Sequence, residues 1–458
     1  MIQTLVLIIA VTAIAGYFLN REAAKTLRGG GAKLHSLPSY HGGYALSLIA
    51  LPAIIFLLLW LLFESRILDA LILAGIPDEA MAGKESGEVS LMLAEIRQTA
   101  TGRIFGEPTA YIREAAARLN RLDGMADWAL AALIVMLMAG GLYIARRSVA
   151  AEFRARQRVE RTLSGLMVFA SVLAVFTTLG IIASLLYESA RFFAKVPINE
   201  FLFGLNWEPQ IPIREDQVAG LGAFGWLPVF LGTIVISVIA MALATPIGLL
   251  SAIYLNQFAP KRLRDVAKPL LEILAGVPTV VYGFFAILTV APALRAAGAS
   301  LGIPVSPNTA LAAGGVMGIM LIPFISSFAD DALSAVPRGL RDGSLALGAT
   351  QGETVRKVLF PAAIPGIVGG VLLAVSRAIG ETMIVVMAAG LIATLTINPL
   401  DSVTTVTVQI VTLLIGDTSF DNPKTLAAFA LGLMLFVVTL GLNIIALRVV
   451  RKYRELYD

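Results

Sequence analysis

The chain has 458 residues, of which 57% are apolar and only 14% charged, where a globular domain carries about 25% charged residues. With a mean hydropathy of +0.83 it cannot clothe itself in polar groups, so its solvent is lipid; a soluble enzyme, a disordered scaffold and a nucleic-acid binder are excluded. The net charge of +4 gains meaning only from where the charges sit, and the absence of cysteine removes disulfides, thiolate metal sites and cysteine nucleophiles together.

A helix needs about 20 apolar residues to cross the hydrocarbon. Segments that satisfy this are Ile2–Leu19, Tyr44–Phe63, Ala126–Ala145, Leu163–Tyr187, Leu227–Tyr254, Leu270–Leu294, Ala310–Phe328, Ile364–Ala393 and Leu426–Val450. An all-α, polytopic membrane protein of about nine spans is therefore expected. The first segment has the look of a signal peptide, with Ala13-Ile14-Ala15 as a cleavage-like triplet. No basic region precedes it, however, and Arg21, Lys25 and Arg28 follow, so it reads as a retained span. His35 and His41 lie in a Gly-containing polar stretch and read as a loop, not a metal site.

Lysine and arginine set the orientation. The loops 20–43, 146–162, 256–268 and 330–363, with the tail from Arg448, hold 22 of the 35 basic residues. That places the N-terminus outside and the C-terminus in the cytoplasm. Three spans precede the basic connector Arg146–Arg161 and six follow it. Residues 1–150 are read as an N-terminal extension and 151–458 as the main transmembrane domain. Between the second and third spans, segment 64–125 contains a run, Tyr111–Arg121, with helical character, which reads as a surface cap or an accessory contact. No repeat of fixed period occurs. Pro246-Ile247-Gly248 and Gly276-Val277-Pro278 predict kinked helices, which line a cavity or face lipid.

The chain contains no G-x-x-x-x-G-K-[ST] phosphate cradle, no H-E-x-x-H, no G-x-S-x-G and no intramembrane pair of carboxylates. It reads as a conduit, without metal or cofactor, and not as an enzyme. Segment Asp330–Ala363 is too long for a turn. Leu340, Leu345, Leu347, Val355, Val358 and Leu359 punctuate its charged stretch, with Gly348 at a break and Pro361 closing it. This predicts two short amphipathic helices at the membrane surface, offering an apolar face to a partner or packed only on their own bundle.

Ser376-Arg377-Ala378-Ile379-Gly380-Glu381-Thr382-Met383 falls inside a span. Arg377 lies roughly 20 Å along it from Ile364 at ~1.5 Å per residue, near the bilayer middle. A charge there costs at least ~2.5 kcal/mol, so it needs a partner or a wet path. Glu381, four residues on, is expected on the same helix face. Two readings stand: a closed Arg–Glu pair, or an anion site in which the guanidinium fork receives a tetrahedral oxyanion. Glu381 would neutralise Arg377 when the site is empty and accept a hydrogen bond from the protonated oxygen of a monohydrogen phosphate. Sulfate has no such proton, which tilts the choice toward phosphate.

Two of these segments resemble a known family. Permeases of ABC importers carry a coupling loop, E-A-A-x3-G-x9-I-x-L-P. Here the frame is Asp342-Gly343-Ser344, three residues, Gly348, nine residues, then Val358-Leu359-Phe360-Pro361. Its spacing holds throughout, although the opening triplet is Asp-Gly-Ser. The Arg377 segment is similar to the R-A-x-G-E-T-M stretch of phosphate importer permeases. Phe224-Gly225-Trp226-Leu227-Pro228, Gly232-Thr233, Ala244-Thr245-Pro246-Ile247-Gly248, Tyr254-Leu255-Asn256, Glu272–Pro278 and Val280-Val281-Tyr282-Gly283 agree with it. Leu205-Asn206-Trp207-Glu208-Pro209 resembles the PstC-type subunit more than PstA. The resemblance covers about 160–455.

It implies a type I ABC-importer permease core in the last six spans, importing phosphate across the inner membrane. Arg377, Glu381, Ser376 and Thr382 would serve translocation. Asp342, Gly343, Ser344, Gly348, Val358, Phe360 and Pro361 would form the loop that docks on the ATPase. Implied partners are a second, PstA-like permease, a dimer of cytoplasmic ATPases that hydrolyse the ATP, an extracytoplasmic phosphate-binding protein, and membrane lipid. A sulfate or molybdate permease is the alternative within the class. An ion-coupled secondary transporter would need no docking loop and usually shows paired repeats. A scaffold for a sensor kinase could coexist with transport.

Overall fold

The computed structural model describes all residues except 32, 78–85, 103–108, 210–221, 416–421 and 455–458. Among the described residues, nine helices are long and apolar enough to cross a membrane, one for each expected span. The chain forms two compact units, Met1–Phe176 and Thr177–Asp458.

In the first unit, α1 (Ile2–Gly29), α2 (Pro38–Leu73) and α4 (Ala110–Arg147) are the three leading spans, and α3 (Ser86–Ala100) is a shorter helix between the last two. Each span buries one narrow stripe spaced by four residues. Leu5, Ile9 and Ala13 meet Ile49, Ala53 and Leu57 and also Leu130, Ile134 and Met138. Outside the stripe the helices expose residues such as Leu7 (63%) and Val11 (58%), which would be untenable in water and is the expected outer face in lipid.

The run Tyr111–Arg121 is helical, as expected, but it continues without a break into the third span. At 36 and 38 residues, α2 and α4 exceed the ~20 needed for the hydrocarbon. Their overhanging ends and α3 share a small core of Ile72, Ile76, Met92, Ile96, Ile112 and Ala115. Arg97 pairs there with Asp69 at 2.7 Å. The connecting residues 78–85 and 103–108 lie outside the described part. One expectation needs correcting: only His35 is in a loop. His41 is buried in α2, where its ring packs 5.9 Å from that of Phe153.

Helix α5 (Ala155–Phe193) begins in the first unit and ends in the second. The second unit continues with α6 (Ile198–Phe203) and a small antiparallel pair, β1 (Trp207–Glu208) and β2 (Ala223–Phe224). Phe192, Phe201, Trp207, Phe224 and Trp226 form an aromatic cluster there, and the Trp207 indole donates to Gln409 Oε1 at 2.9 Å.

The centre of this unit is α7 (Leu227–Ile253) against α11 (Ala310–Ala335). Small residues allow the approach: a Cβ on Gly318 would stand 2.9 Å from the Ala240 carbonyl oxygen. Gly248 likewise faces Ile322 and Ile325, whereas Pro246 and Ile247 look outward. The segment Pro246–Gly248 thus has one side in protein, within a helix that runs through it. A π-helical turn, Tyr254–Phe258, ends this span.

The expected span Leu270–Leu294 is corrected to two elements. Its first part belongs to α8 (Lys261–Ala275), a helix with charges on one face and no buried residue. The chain breaks at Gly276-Val277-Pro278, and the span runs from α9 (Thr279–Phe285) through a π-helical turn into α10 (Ala291–Leu301). Proline, lacking an N–H and fixed in φ, starts the new helix at no cost.

After α11 come α12 (Arg338–Ala346), the single turn α13 (Gln351–Thr354), a π-helical turn Val355–Leu359 and α14 (Phe360–Ile379). The expected span Ile364–Ala393 ends early, at Ile379. Past it, α15 (Met383–Ala388) is followed by irregular chain, then α16 (Val406–Leu414) and α17 (Pro423–Arg454). The irregular stretch is held by the start of α11, where the N–H groups of Ala310 and Leu311 donate to the carbonyls of Asp401 and Pro399. Helix-end donors that have no partner within the helix thus hold the chain that follows α15.

Candidate functional site

Four of the residues expected to serve translocation gather around the break after α14. Arg377 occupies the last turn of that helix. Its guanidinium carbon lies 5.7 Å from the centroid of the Phe324 ring, and Phe324 is near the middle of the 26-residue α11. Ser376 donates to Asn443 Oδ1 of α17 at 3.2 Å.

Glu381 is not where helical periodicity put it. Because α14 stops at Ile379, Glu381 stands in the break, and no ion pair joins it to Arg377 among the described residues. Its carboxylate instead accepts the Met383 N–H at 3.1 Å, capping α15. Its carbonyl accepts the Thr407 hydroxyl at 2.8 Å. Thr382 accepts the Val386 N–H at 2.9 Å through its own carbonyl. The carboxylate is thus used to hold the break open, and the arginine is left exposed with an aromatic face as its neighbour. A guanidinium without a carboxylate retains its fork of donors for an anion.

The coupling-loop residues also come together, with one correction. α12 ends at Ala346, and Gly348 turns the chain with φ of +85°. Thr350 then caps α13: its hydroxyl accepts the Glu353 N–H, and the Glu353 carboxylate accepts from the Thr350 backbone. This capping box satisfies two otherwise orphaned donors. The second element is not an independent surface helix. It is the first turn of the span that becomes α14, and Phe360 and Pro361 continue that span instead of closing the loop. Asp342 and Gly343 are exposed on α12, while the Ser344 and Thr354 hydroxyls meet at 3.0 Å across the turn. The apolar residues divide. Val355 and Leu359 are buried against Ala329, Leu333 and Ile367, with Val358 half-buried. Leu340, Leu345 and above all Leu347, 91% exposed, face outward. The two halves of the loop thus differ, one packed on its own bundle and the other exposed.

Sequence reasoning missed the group that ties this loop to the rest. Asp330, buried near the end of α11, pairs with Lys268 at 2.7 Å and with Arg264 at 3.2 Å, both on α8. Asn256 donates to the Asp330 carboxylate and, at 2.8 Å, to Ser334 Oγ. Gln351 at the start of α13 donates to the Gln257 carbonyl. The hydrogen bond to Asp330, with its charge, raises the Lys268 ammonium above the usual lysine value against the opposing effect of burial. Arg264 and Lys268, four apart on a charged helix face, were the available signal; their carboxylate partner is more than 60 residues away. A cavity of about 250 Å³ lies beside this group, lined by Arg264, Lys268, Glu272, Ser327, Asp330 and the same Phe324 that faces Arg377.

Comparison with known proteins places both units. Residues 6–177 match a family described as a phosphate ATP-binding cassette transporter. Residues 244–455 match the binding-protein-dependent transport system inner membrane component family. The probable ABC transporter permease protein YqgH of Bacillus subtilis is 33% identical over 286 residues, 62% of this chain and 86% of that protein. The phosphate transport system permease protein PstC 1 of Mycobacterium tuberculosis is 33% identical, covering 55% of this chain and 81% of the relative. PstC of Mesorhizobium japonicum is also 33% identical, covering 52% and 74%.

Proposed function

The chain belongs to the PstC-type permeases of phosphate ABC importers, multi-pass inner-membrane subunits that transport and do not catalyse, and from that premise we propose how its residues do so. Arg377 is the anion-recognising group of the translocation path. The observation that carries this is an exposed arginine beside Phe324, near the middle of α11, with no carboxylate partner among the described residues. A bare guanidinium facing hydrocarbon costs at least ~2.5 kcal/mol, so a second permease, PstA-like, faces this side and the wet path runs between the two. Ser376 and Thr382 line the same break. Glu381 shapes it, and its free carboxylate oxygen accepts a hydrogen bond from the protonated oxygen of monohydrogen phosphate.

Coupling runs through Asp342–Pro361. The outward Leu340, Leu345 and Leu347 meet the cytoplasmic ATPase, and Gly348 lets α12 turn onto the start of the α14 span. Movement of α12 reaches α11 and α8 through Gln351, Gln257, Asn256 and Asp330. An extracytoplasmic phosphate-binding protein delivers the substrate from the opposite side. The N-terminus lies outside and the C-terminus in the cytoplasm, with 1–150 as an extension and 151–458 as the transporting domain.

Arg377→Gln tests the reading. The variant is expected to assemble with its partners in normal yield yet import no phosphate, since it keeps the size and loses the charged fork. Wild-type uptake by an assembled Arg377→Gln complex would refute the anion role.

A further inference from the structure

We propose that the connector between the third and fourth spans holds an anionic phospholipid, with its phosphate among Arg154, Arg158 and Arg161. These three arginines line a cleft of about 430 Å³ together with Glu152, Phe153 and Gln157. Among the described residues none of the three arginines has an ion-pair partner. The other charges nearby are engaged: Arg156 pairs with Glu160 at 2.6 Å, Arg146 donates to the Leu19 carbonyl, and Arg147 lies over the Tyr143 ring. Three arginines against the one carboxylate of Glu152 leave positive charge uncompensated, and arginine forks suit phosphate oxygens.

The cleft is built, not a chance grouping of mobile chain. Phe153 anchors it, its ring 5.0 Å from that of Tyr44 and 5.9 Å from that of His41. The His35 N–H donates to the Ala151 carbonyl at 2.8 Å, and the Arg156 N–H to Ser36 Oγ at 3.2 Å. The connector backbone is thereby fixed to the loop between α1 and α2.

What lies along α5 selects a lipid over a free anion. Two residues past Arg161 an unbroken exposed apolar surface begins, with Leu163 at 49%, Met167 at 68% and Phe169 at 65%. No residue in the most apolar window of this helix is buried. Arg158 stands about 8 Å of helical rise from Leu163, and one headgroup layer is about 5–8 Å thick. Phosphate and acyl chains of one molecule would thus meet the arginines and the apolar wall together. Free phosphate would use the cleft alone.

Native mass spectrometry of the detergent-solubilised full chain, titrated with phosphatidylglycerol or phosphatidylcholine, tests the proposal. Each arginine near an anionic surface contributes about fivefold in affinity. The triple variant Arg154→Gln, Arg158→Gln, Arg161→Gln is then expected to lose about 100-fold for phosphatidylglycerol and little for phosphatidylcholine. Equal retention of both lipids by wild type, or unchanged phosphatidylglycerol binding by the variant, would overturn it. So would displacement of the lipid by inorganic phosphate, which would mark a free-anion site. A second measurement does not depend on removing arginines. The cysteine-free chain accepts a single fluorophore at Leu163→Cys, and brominated phosphatidylglycerol is expected to quench it more strongly than brominated phosphatidylcholine. Equal quenching would count against the site.

Discussion

Arg377 and Phe324 meet from different helices, the guanidinium carbon 5.7 Å from the ring centroid, where helical spacing alone would have paired the arginine with Glu381. The contact sets how the cation is tolerated. An aromatic face contributes about 0.5–1 kcal/mol at an exposed site and about 2 when water is excluded. That offsets part of the cost of the charge without consuming its hydrogen-bond donors, as a carboxylate would.

Two sets of variants separate this arrangement from a structural ion pair. In a buried pair, removal of one partner costs about 3–5 kcal/mol and removal of both restores stability. Here Arg377→Met is expected to leave assembly intact but stop uptake, and adding Glu381→Met is expected not to restore uptake. Glu381→Gln keeps an acceptor for the Met383 N–H and should leave yield unchanged, but it loses the second oxygen that accepts from phosphate and should lower uptake, whereas Glu381→Ala also loses the cap, worth about 1 kcal/mol. Phosphate uptake read beside complex yield decides the matter, and recovery of uptake in the double methionine variant would contradict the geometry.

The Asp330 group makes a prediction about pH. Its hydrogen bond raises the Lys268 ammonium above the ordinary lysine value of 10.5. A group raised on folding stabilises fully below its unfolded value and loses that contribution only as pH climbs through the folded one. From about pH 6 to 9 this link should therefore contribute no pH dependence to thermal unfolding, and weakening should begin only above the lysine range. Asp330→Leu removes the buried acceptor of Lys268, Arg264 and Asn256, and is expected to destabilise the protein by about 1–3 kcal/mol. A shift of midpoint in differential scanning fluorimetry, wild type against Asp330→Leu over that pH range, measures both.

The spans were legible because a 20-residue apolar run has no other stable home. The break at Gly380 was not legible. Met383–Ala388 is as apolar as the helix before it, so periodicity reads straight through. What ends the helix is tertiary: the Glu381 carbonyl accepts from Thr407, 26 residues on, and the Glu381 carboxylate turns to Met383. The same reason hid Asp330. Its charge was visible at the end of a span, but the cations that hold it were read in the loop 256–268, and the end of their helix was merged with the next span. Gly348, by contrast, was legible as a break, since α12 and α13 are separated by a left-handed residue that glycine adopts readily.

Orientation can be read directly at Leu347, which is 91% exposed in a chain without native cysteine. In Leu347→Cys, a membrane-impermeant maleimide is expected to label inverted vesicles and leave intact cells unlabelled. Labelling from outside intact cells would place the coupling loop on the wrong face and reverse the topology proposed for both termini.

Gly348 yields the sharpest test of coupling. Its φ is +85°, and a Cβ added there would meet nothing within 4 Å. The penalty for a side chain is therefore backbone strain alone, about 1–2 kcal/mol for an ordinary L-residue in the left-handed region. Asparagine tolerates that region best, alanine less, and a β-branched residue least. If the turn sets the angle at which α12 meets the ATPase, substrate-stimulated ATP hydrolysis should fall in the order Gly348, Gly348→Asn, Gly348→Ala, Gly348→Val. Binding-protein docking should be unchanged throughout, because it takes place on the opposite side of the membrane. Reconstituted liposomes containing the whole importer allow both to be measured. A flat series, with Gly348→Val stimulated like wild type, would mean that the turn only connects two packed helices and carries no coupling.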